Sequence, residues 1–219
     1  MRDTSHPPLI GTLQSTYPLL RAWLGEDQFL RAATWHLELN APHAWMLDAC
    51  ADDFGLTLRE PFPEQPDLQE LAWIERALDN SYLADDLGPI APASLAGINW
   101  NTVHLRLTPT LQITHATTNA ADIWSAMEAG RHQPKGRLLA SPKGLLVWRR
   151  RYLSCLRTIE PLELEAISCV QAFGSFSNLC VMLSGQLGER EGVSRAAALL
   201  ASWLGDELVT GVHYPHQLN

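Results

Sequence analysis

Apolar positions recur at three- and four-residue spacing early in the chain and again near its end, and they alternate in between. Leu13, Tyr17, Leu20 and Leu24 mark one helical face, which Gly25 stops. Asp27 is placed to cap a second helix through Phe29, Ala33 and Leu37, ended by Pro42. A shorter helix is expected around 44–54, then a link punctuated by Pro61, Pro63 and Pro66. Asp67 opens the clearest helix, running to about Ala84 with Leu71, Ile74, Leu78 and Tyr82 as its buried stripe.

The period then falls to two. Val103, Leu105 and Leu107 alternate with His104 and Arg106, Pro109-Thr110 turns the chain, and Leu111, Ile113 and His115 alternate with polar neighbours. That pattern predicts a hairpin. Asn119 caps a short helix closed by Gly130, and 131–143 reads as a polar loop. A second hairpin follows, with Leu145 to Trp148 as one strand, Arg149-Arg150-Arg151 over the turn, and Tyr152 to Ile159 as the other strand. Three helices come next, opening at Pro161, Ser175 and about Val193, and closing at Gly174, Gly185 and about Leu204. A short strand at Val209–Tyr214 ends the pattern. The fold class is α+β: a helical part over 1–98, then a sheet-containing part over 99–219 with a small winged-helix-like module at about 144–214.

Composition narrows the function classes. Apolar residues make up 46% of the 219, enough for real cores, and no apolar run is long enough to span a bilayer. The first eight residues lack an apolar signal core, so a cytoplasmic protein without membrane contact is expected. Cys50, Cys155, Cys169 and Cys180 form no CxxC and sit among apolar neighbours, which reads as free buried thiols. Net charge is −8, and residues 1–143 carry seven of those excess negative charges. Nucleic-acid binding normally draws on a basic face, and none is visible here.

Catalytic signatures are missing too. His36 and His43 are broken by Pro42, and His104 with His115 on the first hairpin makes a pair without a third ligand. No GxSxG, HExxH or phosphate-cradling loop occurs. No catalytic, metal or cofactor site is therefore expected in this chain. Glu75 and Asp79 lie one turn apart on a helix, and like charges at that spacing call for a partner. The partner is Arg76, water, or another protein docking there.

The C-terminal module offers two uses. In a DNA-reading winged helix the hairpin follows the recognition helix, whereas here it precedes the helices. The third helix carries only Arg195 as a base from Val193 onward. The other use is strand addition, in which an extended peptide pairs with an exposed sheet edge beside a helix. The edge would be Tyr152, Leu153, Ser154, Cys155, Leu156 and Arg157. The helix wall would be Leu199, Leu200 and Trp203, unless these simply belong to the core.

Four segments resemble one known family. They are Leu9 to Leu20 with Leu24 to Phe29, Leu71 to Asp79, Val103 to Leu111, and Leu145 to Arg149. In this order they resemble the HvfC-like family, long labelled DNA-binding, which includes MbnC of methanobactin biosynthesis and TglI of 3-thiaglutamate biosynthesis. The resemblance implies a non-catalytic subunit of a heteromeric, peptide-modifying complex. Its partner would be a TIM-barrel enzyme holding several iron ions, which modifies a cysteine in a ribosomally made precursor peptide. The C-terminal module would be a recognition element of the kind typified by PqqD, holding the leader peptide as an added strand. Iron would belong to the partner and not to this chain. Members often begin with a further helix bearing Tyr-Arg-x-Asn, and the eight residues before Leu9 do not match it.

Overall fold

The computed structural model describes residues 7–40, 51–83 and 87–214. The helix expected near 44–54 therefore lies largely outside the described residues. Helices are combined with two small antiparallel sheets, so the fold is α+β. Contacts divide it into two units, one made of 1–80 with 116–142, the other of 81–115 with 143–219. The expected division at residue 98 is continuous in sequence; the observed one is not. Both later crossings fall inside strands, namely β2 (Gln112–Thr118) and β3 (Leu138–Arg150).

The first unit is helical: α1 (Pro7–Thr16), α2 (Pro18–Leu24), α3 (Glu26–Leu39), the single turn α4 (Phe54–Thr57), α5 (Asp67–Leu83) and α6 (Ala120–Glu128). The heptad-like stripe survives as core, since Leu13, Tyr17, Leu20 and Phe29 are all at most 1% exposed. Phe54 gathers the rings of Tyr17, Phe29 and His36 at centroid distances of 5.2–5.5 Å. Gly25, at φ +87, is both the stop of α2 and the N-cap of α3, so Asp27 sits in the first turn instead of capping it.

Acidic side chains of α5 fasten the other segments to it. Glu75 accepts the backbone N–H groups of Leu19 and Leu20 at 2.8 Å each, satisfying the open N-terminus of α2. Asp67 accepts the Trp23 indole N–H at 2.9 Å. Glu70 takes four donors, the backbone N–H and hydroxyl of both Thr117 and Thr118, at 2.6–3.2 Å. Asn119 is the N-cap residue of α6, as expected, but its side chain ties Lys135 and Arg137 instead of bonding the helix.

The second unit contains β1 (His104–Leu107), β4 (Leu153–Ile159), β5 (Val209–His213), and the helices α7 (Pro161–Phe173), α8 (Phe176–Leu187) and α9 (Glu189–Gly205). Strand, strand, three helices, strand is the order the periodicity gives. The first expected hairpin, however, does not form. β1 pairs with β5, placing His104 opposite His213, while β2 pairs with β3 in a sheet ordered β2-β3-β4. Alternation fixes which face of a strand is buried but not which strand lies beside it. β3 also starts at Leu138, seven residues before its apolar run, inside the expected polar loop. Leu146, Trp148, Ile159, Ile167, Leu183, Leu200 and Trp203 share one core. α8 and α9 cross at Gly192, where an added Cβ would meet the Ser184 backbone nitrogen at 2.3 Å.

Candidate functional site

The β3–β4 hairpin is closed by a two-residue turn, Arg151-Tyr152, between the paired residues Arg150 and Leu153. Arg151 adopts φ +56, the left-handed sign that two-residue hairpin turns need at their first position. Hydrogen-bonded and non-hydrogen-bonded pairs alternate along an antiparallel ladder. The Arg149 N–H donates to Thr110 Oγ1 at 3.0 Å, away from β4, which makes Arg149↔Ser154 a non-hydrogen-bonded pair. Val147↔Leu156 and Leu145↔Thr158 follow in the same class. The main-chain groups of Leu156 and Thr158 therefore point outward, and β4 is the terminal strand of its sheet on that side.

Polar contacts hold this strand against the helices. Arg157 Nη2 donates to Glu163 Oε1 at 2.7 Å and lies 3.5 Å from Asp206 Oδ2. The same Glu163 oxygen accepts the Trp203 indole N–H at 3.1 Å. Trp148 donates to the Asp206 carbonyl at 2.9 Å. One carboxylate at the start of α7 thus joins β4 to α9. Arg157 Nε is buried and has no acceptor, an unsatisfied donor beside the strand.

The expected site residues fall into distinct places. Tyr152 and Leu153 are 86% and 72% exposed at the turn, and Cys155, Leu156 and Arg157 are half-buried. Ser154 is half-buried and its hydroxyl hydrogen-bonds that of Ser81. Leu199, Leu200 and Trp203 are core residues, at 3%, 7% and 0% exposure, so they do not form an exposed helix wall. Their spacing marks the buried stripe of α9, and Trp203 finds its polar partner internally in Glu163. The signal that was available for Glu163 was its place in the first turn after Pro161, read only as a helix start.

Glu75 and Asp79 separate as well. Glu75 faces inward onto α2, while half-exposed Asp79 bonds Arg76 at 2.9 Å, and Arg76 also bonds Asp52 at 2.7 Å. Of the partners weighed, Arg76 bonds Asp79, while Glu75 is held by backbone N–H groups instead. Burial pushes the Glu75 carboxyl up to about 7, against the downward pull of its two backbone N–H donors.

His104 and His115 do not face each other. His104 meets His213 at 5.4 Å between ring centroids. His36 bonds Thr57 and meets the Phe54 ring edge to face, and His43 lies outside the described residues. Cys155, Cys169 and Cys180 are half-buried free thiols whose pKa burial pushes up, and Cys50 lies outside the described residues. Among the described residues no three His, Cys, Asp or Glu side chains are grouped to hold a metal ion, and no helix is long and apolar enough to cross a membrane. The third helix starts four residues before Val193, which adds Arg190 but also Glu189 and Glu191 at its start. No protein-family model matches the chain, and a search of curated proteins finds no match.

Proposed function

We propose that the chain is a recognition subunit, which binds the leader of a ribosomally made precursor peptide by strand addition on β4 and presents the peptide's cysteine to an iron-holding TIM-barrel partner. The outward main chain of Leu156 and Thr158 on a terminal strand carries the strand-addition reading. The partner, its iron and the cysteine chemistry rest on the family resemblance alone. In this reading the protein works in the cytoplasm, has no catalytic residue of its own, and binds neither nucleic acid nor membrane. The peptide-contacting residues are Leu156 and Thr158 by main chain, flanked by Tyr152, Leu153 and Arg157.

The test is Leu156→Pro, which removes one outward donor while leaving the inward ladder intact. Leader binding should weaken by about 1–2 kcal/mol, the scale of a lost hydrogen bond with local strain. Circular dichroism should stay unchanged. Unaltered binding by folded Leu156→Pro and Thr158→Pro places the peptide elsewhere. Metal analysis after co-purification with a TIM-barrel partner should find iron in that partner and none retained by this chain.

A winged-helix DNA-binding regulator is the competing reading, and the arginine run at the hairpin turn is the observation that favours it. Acidic residues in the first turn of α9 oppose it. Sequence-selective binding of duplex DNA at physiological salt would reverse the preference.

A further inference from the structure

The tip of the β3–β4 hairpin holds a cleft of about 170 Å³, the size of one large side chain, lined by Leu87, Pro89, Arg149, Arg151, Tyr152 and Glu207. Two observations set it apart. Arg151 and Glu207 are the non-glycine residues with positive φ among those described, at +56 and +60, and both line this cleft. Each is the backbone that its place calls for, Arg151 as the first turn residue of the hairpin and Glu207 as the residue after the cap of α9, where the Leu208 N–H bonds the Trp203 carbonyl, and together the two turns fix both side chains at the cleft. Charge is the second observation. One oxygen of Glu207 serves two guanidinium groups, Arg150 at 3.2 Å and Arg151 at 3.6 Å, and the Arg151 side chain is 72% exposed. Among the described residues that line the cleft, Arg149 and Arg151 stand against the single acid Glu207, a local positive excess in a chain whose net charge is −8.

We propose that this cleft takes one large apolar side chain from the peptide that pairs with β4 while an adjoining acidic residue meets Arg151 at the rim, so that carboxylate recognition selects the peptide. The inference rests on strand addition at β4. Four residues separate Leu156 from Tyr152, about 13 Å at the rise of a strand, so a peptide paired at Leu156 reaches the tip within a few residues. Arg151 meets the carboxylate with its free N–H groups, and Tyr152 and Leu87 cover the apolar side chain. A short acidic segment suits the site better than a nucleic acid does. A long polyanion would meet the acidic remainder of the surface, whereas a few residues touch the tip alone.

The test pans a random twelve-residue display library against the full chain, then measures selected peptides by fluorescence anisotropy. Selected peptides should carry Asp or Glu beside a large apolar residue, and Arg151→Glu should weaken them at least about tenfold, the scale of a charge-assisted hydrogen bond. Arg151→Gly relieves the positive φ and keeps the turn, so its loss of affinity cannot be ascribed to unfolding. Peptides without acidic bias, bound normally by Arg151→Gly but lost in Leu156→Pro, would overturn the cleft assignment and leave strand addition standing. Acidic peptides that bind Leu156→Pro as tightly as the parent, or a library with no selected binders, would overturn both. Duplex DNA bound with steep salt dependence and released by Arg151→Glu would assign the arginines to phosphate and overturn the proposal.

Discussion

The two units bury carboxylates in opposite ways. In the helical unit, Asp67, Glu70 and Glu75 are satisfied by neutral donors: an indole, two hydroxyls and four backbone N–H groups. In the sheet-bearing unit, Glu163 and Glu207 are met chiefly by guanidinium groups. Neutral donors fix geometry without cancelling charge, and at Glu75 burial outweighs them, so that carboxylate makes the stability of the helical unit follow pH. Ion pairs cancel charge but leave an orphan when either member is removed, so the other unit is the one that single substitutions break.

Native-state hydrogen exchange, read separately over each unit, can break or sharpen this contrast. The largest effect should come from Gly192→Ala, whose Cβ meets backbone atoms of Ser184 at 2.3 and 2.4 Å. We expect a loss of more than about 3 kcal/mol in the α8–α9 amides, with the α1–α3 amides unchanged. Equal loss in both would show that the units do not unfold independently.

Glu163→Ala should follow, at about 3 kcal/mol, because it strips Arg157 and the Trp203 indole of their shared acceptor. Thermal unfolding of that unit is the measure, and a shift within error would mean the network contributes geometry alone.

Next is the pH response of the helical unit. The folded Glu75 carboxyl titrates near 7 and its ordinary value is 4.5, so between these the folded state holds the extra proton. Stability of α2 and α5 is therefore full below about pH 4.5 and declines as pH rises from there through 7, by about 3 kcal/mol. Glu75→Gln should flatten that decline. A parent protein whose urea midpoint is level from pH 5 to 7.5 would refute the assignment. Smallest of all is Arg151→Gly, expected within about 0.5 kcal/mol of the parent, since relief of the positive φ offsets added chain entropy.

What was legible in the sequence follows the range of the physics involved. Helices at 7–24, 67–83 and 161–205 are written in local period, although Tyr82 of the expected buried stripe is 58% exposed, and the second hairpin in an apolar run that ends at arginines. Ser175 and Gly174 perform their expected end roles, Ser175 accepting from the Asn178 N–H and Gly174 in the left-handed conformation. Gly185 does not stop its helix. It stands in open space, where a glycine costs propensity but nothing more, and α8 runs on to Leu187. β1 found its partner at Val209–His213, over a hundred residues away, a choice that no local window contains. The site was legible as a strand but not as a register. Only the Arg149 bond to Thr110 shows that Leu156, and not Cys155, turns its N–H outward. Glu75 misled because its partner was sought in Arg76, water or another protein, when an open helix end lay 55 residues earlier in the chain.

The clasp on Glu70 has a consequence for the order in which the protein is made. A ribosome releases this glutamate 47 residues ahead of Thr117, whose N–H and hydroxyl it awaits, and Thr118 comes one residue later. Until those threonines emerge, the nascent helical unit carries a carboxylate destined for burial with nothing to receive it. Domains usually complete themselves from the N-terminus during synthesis. Here the first unit is finished only after the opening of the second has already been translated, so a gene cut at residue 98 would encode a helical piece that lacks its own last fastening.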